Sequence, residues 1–146
     1  MITIRPYEGI IIDSVDVNFG MPQKEVKRIF REEAPRIEID NIMEEIREYR
    51  CGMIFTYTKK KLLMDITATL HVELYYKDID IFNTESVIEK LSLLDTPTPE
   101  AKNGYINFYG LGISMGGFGK RKIPEKKIVT IFPKDRIKFY EITLRV

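Results

Sequence analysis

The stretch YRCGMIFTYTKKKLLMDITATLHVELYY, residues 49–76, decides the fold. Two runs rich in β-branched and aromatic residues, Tyr49–Tyr57 and Leu62–Tyr76, flank the polar tetrapeptide Thr58-Lys59-Lys60-Lys61. Two β-forming runs joined by a short charged tip predict an antiparallel hairpin.

Toward the N-terminus, Ile10, Ile12, Val15, Val17 and Phe19 alternate with polar residues, which predicts extended chain interrupted near Asp13-Ser14. Gly20-Met21-Pro22 breaks it, and Pro22 suits a first helical position because its missing N–H has no partner there anyway. Val26, Ile29 and Phe30 then share one face, opposite Lys24, Lys27 and Arg28, so an amphipathic helix of about three turns is expected, ending near Pro35. Residues 31–49 are polar and acidic, with a second short helix expected over Asn41–Arg47 on the face Ile42, Met43 and Ile46.

Toward the C-terminus, Asp78–Phe82 alternates again, and Asn83-Thr84 offers oxygens that can cap a helix. Val87, Ile88 and Leu91, with Leu93 or Leu94, form its apolar face, and Asp95-Thr96-Pro97-Thr98-Pro99 ends it. Tyr105–Met115 reads as a strand run, Gly116–Lys122 as a loop, and Lys127–Phe132 and Arg136–Val146 as two closing strands.

The order strand, helix, loop, strand, turn, strand thus occurs twice. Val17 matches Ile79, Val26 and Phe30 match Val87 and Leu91, and Gly52 matches Gly112, with offsets shortening from 62 to 61 to 60 residues. Order and spacing, not letter identity, carry this reading. The chain is therefore expected to be one α+β domain, 1–146, made of two tandem strand-helix-strand-strand units at about 9–70 and 71–146. Side by side they give one antiparallel sheet with helices packed on one face, the other face being solvated or a binding surface.

Composition bounds the function. With 146 residues, 44% hydrophobic and 31% charged, the chain is globular and large enough for a core without cross-links. A net charge of +1 means that the whole molecule is no nucleic-acid-binding polycation. Met1–Pro6 alternates and then stops at proline, so no secretory signal is read, no window approaches the ~20 apolar residues of a membrane span, and a cytoplasmic protein is expected.

No catalytic or metal site is read from the sequence, and no cofactor. His71 and Cys51 are each the sole residue of their kind, too few soft ligands for a closed zinc site. A Cys51–His71 dyad across the hairpin is geometrically possible, against the plainer reading of a buried thiol and a strand histidine. Gly110–Gly119 is glycine-rich, but a phosphate loop needs a helix after it, and here Lys120-Arg121-Lys122-Ile123-Pro124 leads to a β-like run. Charge is segregated instead. Glu32, Glu33, Glu38, Asp40, Glu44, Glu45 and Glu48 form an acidic block, expected to meet a basic partner site such as that of a nuclease. Lys120, Arg121, Lys122, Lys126, Lys127, Lys134, Arg136 and Lys138 form a basic one, which through 120–127 carries the alternative of nucleic-acid binding. Alternation sets Tyr105 and Tyr109 on one sheet face, where exposed tyrosines anchor interfaces.

Phe19-Gly20-Met21-Pro22-Gln23-Lys24-Glu25-Val26 resembles the FGM-S/T-x-x-E-V entry to the first helix of several small bacterial α+β families. These are outer-membrane-assembly lipoproteins, tandem-repeat β-lactamase inhibitor proteins, and small cytoplasmic proteins that accompany secreted polymorphic toxins. Pro22 stands where those families carry a capping Ser or Thr, so the capping box is broken here. Ile79–Glu89 and Gly110–Ser114 look like the matching repeat of the toxin-associated immunity-type proteins. The resemblance implies a cytoplasmic immunity or inhibitor protein, not an enzyme, that binds a cognate toxin or enzyme and blocks its active site, with no membrane partner. It carries over no individual binding residue. A small-molecule-binding or enzymatic domain with a cleft between the halves is the other alternative.

Overall fold

A computed structural model describes residues 1–30, 34–120 and 126–145. Its strands make two sheets, not one. Strands β1 (Ile2–Arg5), β2 (Gly9–Ile12) and β3 (Val15–Asn18) form a meander, to which β8 (Leu74–Tyr76) and β9 (Ile79–Asp80) add in the order β3-β2-β1-β8-β9. The interruption expected at Asp13-Ser14 is a two-residue hairpin: Ile12 pairs with Val15, and Asp13 and Ser14 have φ of 45° and 71°. Two positive φ values match the right-handed strand twist, and Asp and Ser bear them better than branched residues do. Strand β1 is parallel to β8, with Ile2 opposite Leu74.

The second sheet has seven strands in the order β10-β11-β12-β7-β6-β5-β4, antiparallel throughout. They are β4 (Arg36–Asp40), β5 (Glu45–Arg50), β6 (Met53–Thr58), β7 (Leu63–Thr69), β10 (Tyr105–Phe108), β11 (Ile113–Gly116) and β12 (Ile128–Ile131). The hairpin that opened the sequence reading is β6–β7, turning over Lys59–Leu62. The run Tyr49–Tyr57 is divided by a second tight turn at Cys51 and Gly52, with φ of 47° and 77°. A register shift beside Thr56 leaves Met64 without an opposite residue. That bulge switches the parity of β7, so Leu63, Ile66 and Ala68 all face inward.

The two sheets share one apolar core. Met53, Phe55, Tyr57, Ile66, Val129, Ile131, Ile113, Met115, Ile106 and Phe108 come from the large sheet, and Ile2, Ile4, Ile10, Val17 and Leu74 from the small one. Helices α1 (Gln23–Ile29) and α2 (Val87–Ser92) bury Val26, Val87 and Leu91 in it, with Ile29 and Ile88 half-buried against it. The expected single sheet with helices on one face is therefore corrected: sheet packs on sheet, and the helices are short plugs. Pro22 caps α1 instead of starting it, and α1 is shorter than the three turns expected.

The expected closing strand over Arg136–Val146 is instead a 3-10 turn (Lys134–Arg136) followed by helix α3 (Ile137–Thr143). This helix lies on the face of the large sheet opposite the small one. There Asn107, Ser114, Thr130 and Thr67 form a cross-strand polar row, with Thr67 and Thr130 hydroxyls 3.0 Å apart. Asn107 Nδ2 donates to the carbonyl of Tyr140 on α3 at 3.1 Å, and the Tyr140 hydroxyl donates to Asp65 at 2.8 Å. The alternation of residues 136–146 was overridden because Arg136 and Tyr140, one helical turn apart, both reach Asp65 only from a helix. The face expected to be solvated is thus covered at its centre.

Burial pushes the Asp65 carboxyl above its ordinary value of 3.8, offset only in part by hydrogen bonds from Tyr140 and Thr56 and by the Arg136 charge. The folded chain therefore holds this proton to higher pH than the unfolded chain does. The stability this provides is complete below the unfolded value and is lost as pH rises through the folded one. Asp65→Asn cannot ionise and escapes that loss. Its melting temperature minus that of the parent is expected to rise as pH is raised from below the ordinary carboxyl value of 3.8 toward neutral; a flat or falling difference in thermal melts contradicts this.

Candidate interaction face at the β4–β5 hairpin

Strand β4 carries the large sheet one strand beyond its core. On the core-facing side the row runs from Phe55, fully buried, through Glu48 on β5 to Ile37 on β4, and in the next row from Tyr57 through Ile46 to Ile39. Ile37 is 51% exposed and Ile39 68%, so burial stops at β5. At the hairpin tip Ile42 is 93% exposed and Met43 52%. A contiguous set of large exposed apolar residues is the informative kind of surface.

The helix expected over Asn41–Arg47 is this hairpin. Asp40 Oδ1 accepts hydrogen bonds from the backbone N–H groups of Ile42 and Met43, each at 3.0 Å, which closes a turn in place of a helical one. Those bonds, the Met43 N–H above all, and the Arg47 guanidinium hold the Asp40 carboxyl below the usual range. Arg47 also pairs with Glu45. The alternation Arg36-Ile37-Glu38-Ile39-Asp40 was the legible signal for a strand.

The acidic block is largely neutralised where it stands. Glu38 lies 3.9 Å from Arg36, and Glu44 3.7 Å from Lys59. Asp40 and Glu45 share Arg47. Glu48 is 1% exposed, pairs with the equally buried Arg50 and accepts from Gln23 Nε2 at 3.0 Å, so it cannot touch a partner directly. Glu32 and Glu33 lie outside the described residues. Tyr105 and Tyr109 sit on β10 and just beyond it, at the opposite edge of the same sheet, so the structure does not bring them to the acidic block. Both are half-buried: the Tyr105 ring covers Gly116 across the strands, and the Tyr109 hydroxyl accepts from Asn107.

What the block presents instead is a basic rim. A groove of about 450 Å³ lies between α1 and β4. Lys24 and Lys27 line it from α1, Lys60 and Lys61 from the β6–β7 turn, and Pro35 and Ile37 from the β4 side, with Glu48 also at its wall. Among the described residues none of these four lysines has an ion-pair partner, and all four are exposed. A smaller hollow of about 280 Å³ continues past the tip over Ile39 and Ile46 to Lys59. The sequence showed these lysines as a helix face and a turn, and only the fold brings them together.

The other candidates separate. Cys51 and His71 are both exposed and in turns, not in a core or a strand; a Cβ built on Gly52 would lie 3.6 Å from that of His71, so the two turns touch. Of the basic block, residues 121–125 lie outside the described residues. Lys127 lies over the Phe118 ring at 5.1 Å, Lys134 over Tyr7 at 5.5 Å, and Arg136 belongs to the Asp65 cluster. The glycine-rich run is the β10–β11 loop followed by β11, and Gly112, at φ 66°, packs so close to the Phe132 carbonyl that a Cβ would come within 2.9 Å. Among the described residues no three metal-ligating side chains cluster, and no helix is long and apolar enough to cross a membrane. No known protein family, curated protein or solved structure matches the chain.

Proposed function

We propose that this chain is a cytoplasmic binding protein of the immunity or inhibitor type, which occupies the active-site region of a cognate toxin or enzyme through the β4–β5 hairpin and the groove beside it. One observation carries the reading: a sheet that outruns its own core and leaves Ile37, Ile39, Ile42 and Met43 in solvent. The partner region that fits this face is apolar at its centre with carboxylates around it, because the groove is floored by isoleucine and rimmed by Lys24, Lys27, Lys60 and Lys61. This reverses the polarity expected from the acidic block, and it points away from the basic cleft of a nuclease. The tandem reading belongs to the same proposal. Each half passes from the small sheet through a short helix into consecutive antiparallel strands of the large sheet, four (β4-β5-β6-β7) in one and three (β10-β11-β12) in the other, so β4 has no counterpart in the second half. Gly52 and Gly112 stand just before β6 and β11 with φ of 77° and 66°.

Co-purification with the product of the adjacent gene, and protection of cells that express that product, test the proposal. Ile37→Asp with Ile39→Asp is expected to weaken the complex by about 30-fold or more, the size of a central anchor's loss. Lys60→Glu with Lys61→Glu is expected to slow association and flatten its salt dependence. Full protection by the isoleucine variant sinks this docking face.

A further inference from the structure

We propose that the free edge of β4 pairs antiparallel with β4 of a second copy of this chain, joining two seven-stranded sheets into one. The two edges of the large sheet are treated differently. At β10, the Thr98 N–H donates to the Asn107 carbonyl and the Ala101 N–H to the Tyr105 carbonyl, each at 2.9 Å, while Thr98 Oγ1 accepts from the Asn107 N–H. That edge is covered by the chain itself. At β4 the backbone bonds only to β5, and no described residue bonds its outward row of N–H and C=O groups. An uncovered edge is a template for another strand.

The sequence of β4 selects the occupant. A two-fold axis through Ile37 places Ile37 against its own copy, Ile39 against Pro35, and Arg36 against Glu38, twice over. Arg36 and Glu38 have 67% and 47% of their side-chain surface exposed and form a long ion pair with each other. Arg36 also lies over the Tyr49 ring at 3.9 Å and Glu38 is hydrogen-bonded with Tyr49, so the dimer recruits charges that already stand at this edge and keep part of their surface in solvent. Moving the axis to Glu38 sets Glu38 against itself and calls on Asp40, which Arg47 and the tip already hold. Moving it to Ile39 sets Glu38 against Asp40. A slip of one residue puts isoleucines on the charged face. The Glu38 register also sets Arg36 against Asp40 and Ile37 against Ile39, but only the Ile37 register gives opposite charges and apolar pairs without placing like charges opposite each other. Because the same patch serves both copies, the assembly closes as a dimer. Pro35, with no N–H, limits the ladder at its end, so the dimer is weak.

Sedimentation velocity of the full chain from about 5 µM to about 500 µM tests this, a range suited to a small interface. A concentration-dependent monomer–dimer equilibrium is expected. Arg36→Glu and Glu38→Arg should each raise the dimer dissociation constant about tenfold, since two cross-strand pairs become repulsive at once. The double variant should return to within about threefold of the parent, because opposite charges again face each other. Both positions are exposed, and circular dichroism confirms that each variant folds. A chain that stays monomeric throughout overturns the proposal, and so does a dimer whose double variant is as weak as the single ones.

Discussion

Replacing Tyr140 by alanine is expected to cost about 3–5 kcal/mol of stability, a large part of the roughly 5–15 kcal/mol that holds a domain folded. The ring is 8% exposed, stacks on Phe132 with centroids 4.3 Å apart and meets Phe139 edge-on at 5.1 Å. Its hydroxyl donates to Asp65, itself shut off from water. The truncation removes the packing that seats α3 and one of the few donors that make the buried carboxylate tolerable. Tyr140→Phe separates the two: it keeps the ring and should cost about 1.5–3 kcal/mol where Asp65 is ionised, the range for a hydrogen bond to a charged group, and about 0.5–1.5 kcal/mol where Asp65 still holds its proton. Urea denaturation followed by far-ultraviolet circular dichroism measures both. An alanine variant within 1 kcal/mol of the parent, by the same scale, shows that α3 does not cover the sheet in solution.

Glu48→Leu is the second substitution with a large expected effect, about 3–5 kcal/mol. Glu48 and Arg50 each have 1% of their side-chain surface exposed and stand two residues apart on the core-facing side of β5. Gln23 from α1 donates to Glu48, and Arg50 donates to the Phe30 carbonyl and lies 5.6 Å above the Phe30 ring. Removing the carboxylate keeps a guanidinium in a dry site and breaks the tie that orients α1 over the sheet. The cost comes from the charge left behind, not from a large net value of the pair. Glu48→Leu with Arg50→Met is therefore expected to recover most of the loss, since a well-packed apolar pair of similar volume replaces the ion pair at little cost. A double variant as unstable as the single one assigns the loss to packing instead.

The local structure was legible where chain chemistry acts over short distances. The β6–β7 hairpin, the break at Asp13-Ser14, and the buried faces Val26 of α1 and Val87 and Leu91 of α2 follow from alternation, breakers and turn residues, but α2 ends at Ser92 and leaves Leu93 and Leu94, expected on its apolar face, exposed. What escaped depends on partners distant in sequence. Residues 136–146 alternate like a strand, but Asp65, far away on β7, draws Arg136 and Tyr140 into a helix. Ile42, Met43 and Ile46 stand at helical spacing, and Asp40 accepts from the Ile42 and Met43 N–H groups much as a helix cap does, but pairing with β4 and β6 takes the chain from Glu45 onward into a strand. The division into two sheets rests on the β1–β8 pairing, which no local signal announces. The candidate face had the same fate. The acidic block was visible as composition, but its neutralisation needed the strand: Arg47 and Arg50 reach Glu45 and Glu48 along β5 itself, and Arg47 reaches Asp40 across to β4, while the lysines come from α1 and a turn that only the fold sets side by side.

The parallel contact between Ile2 and Leu74 also sets an order of events in time. The β1–β2–β3 meander closes loops of a few residues and can form as soon as it leaves the ribosome, but one flank of β1 stays open until Leu74 has been synthesised. The seam of the large sheet, Ile66 against Ile131, waits longer still. Both closures span more than sixty residues of chain, so they are paid for in loop entropy before any core contact rewards them. Refolding from denaturant should therefore begin with fast local hairpins and end with a slower step in which the two sheets come together, and the half-made molecule is the form most exposed to aggregation.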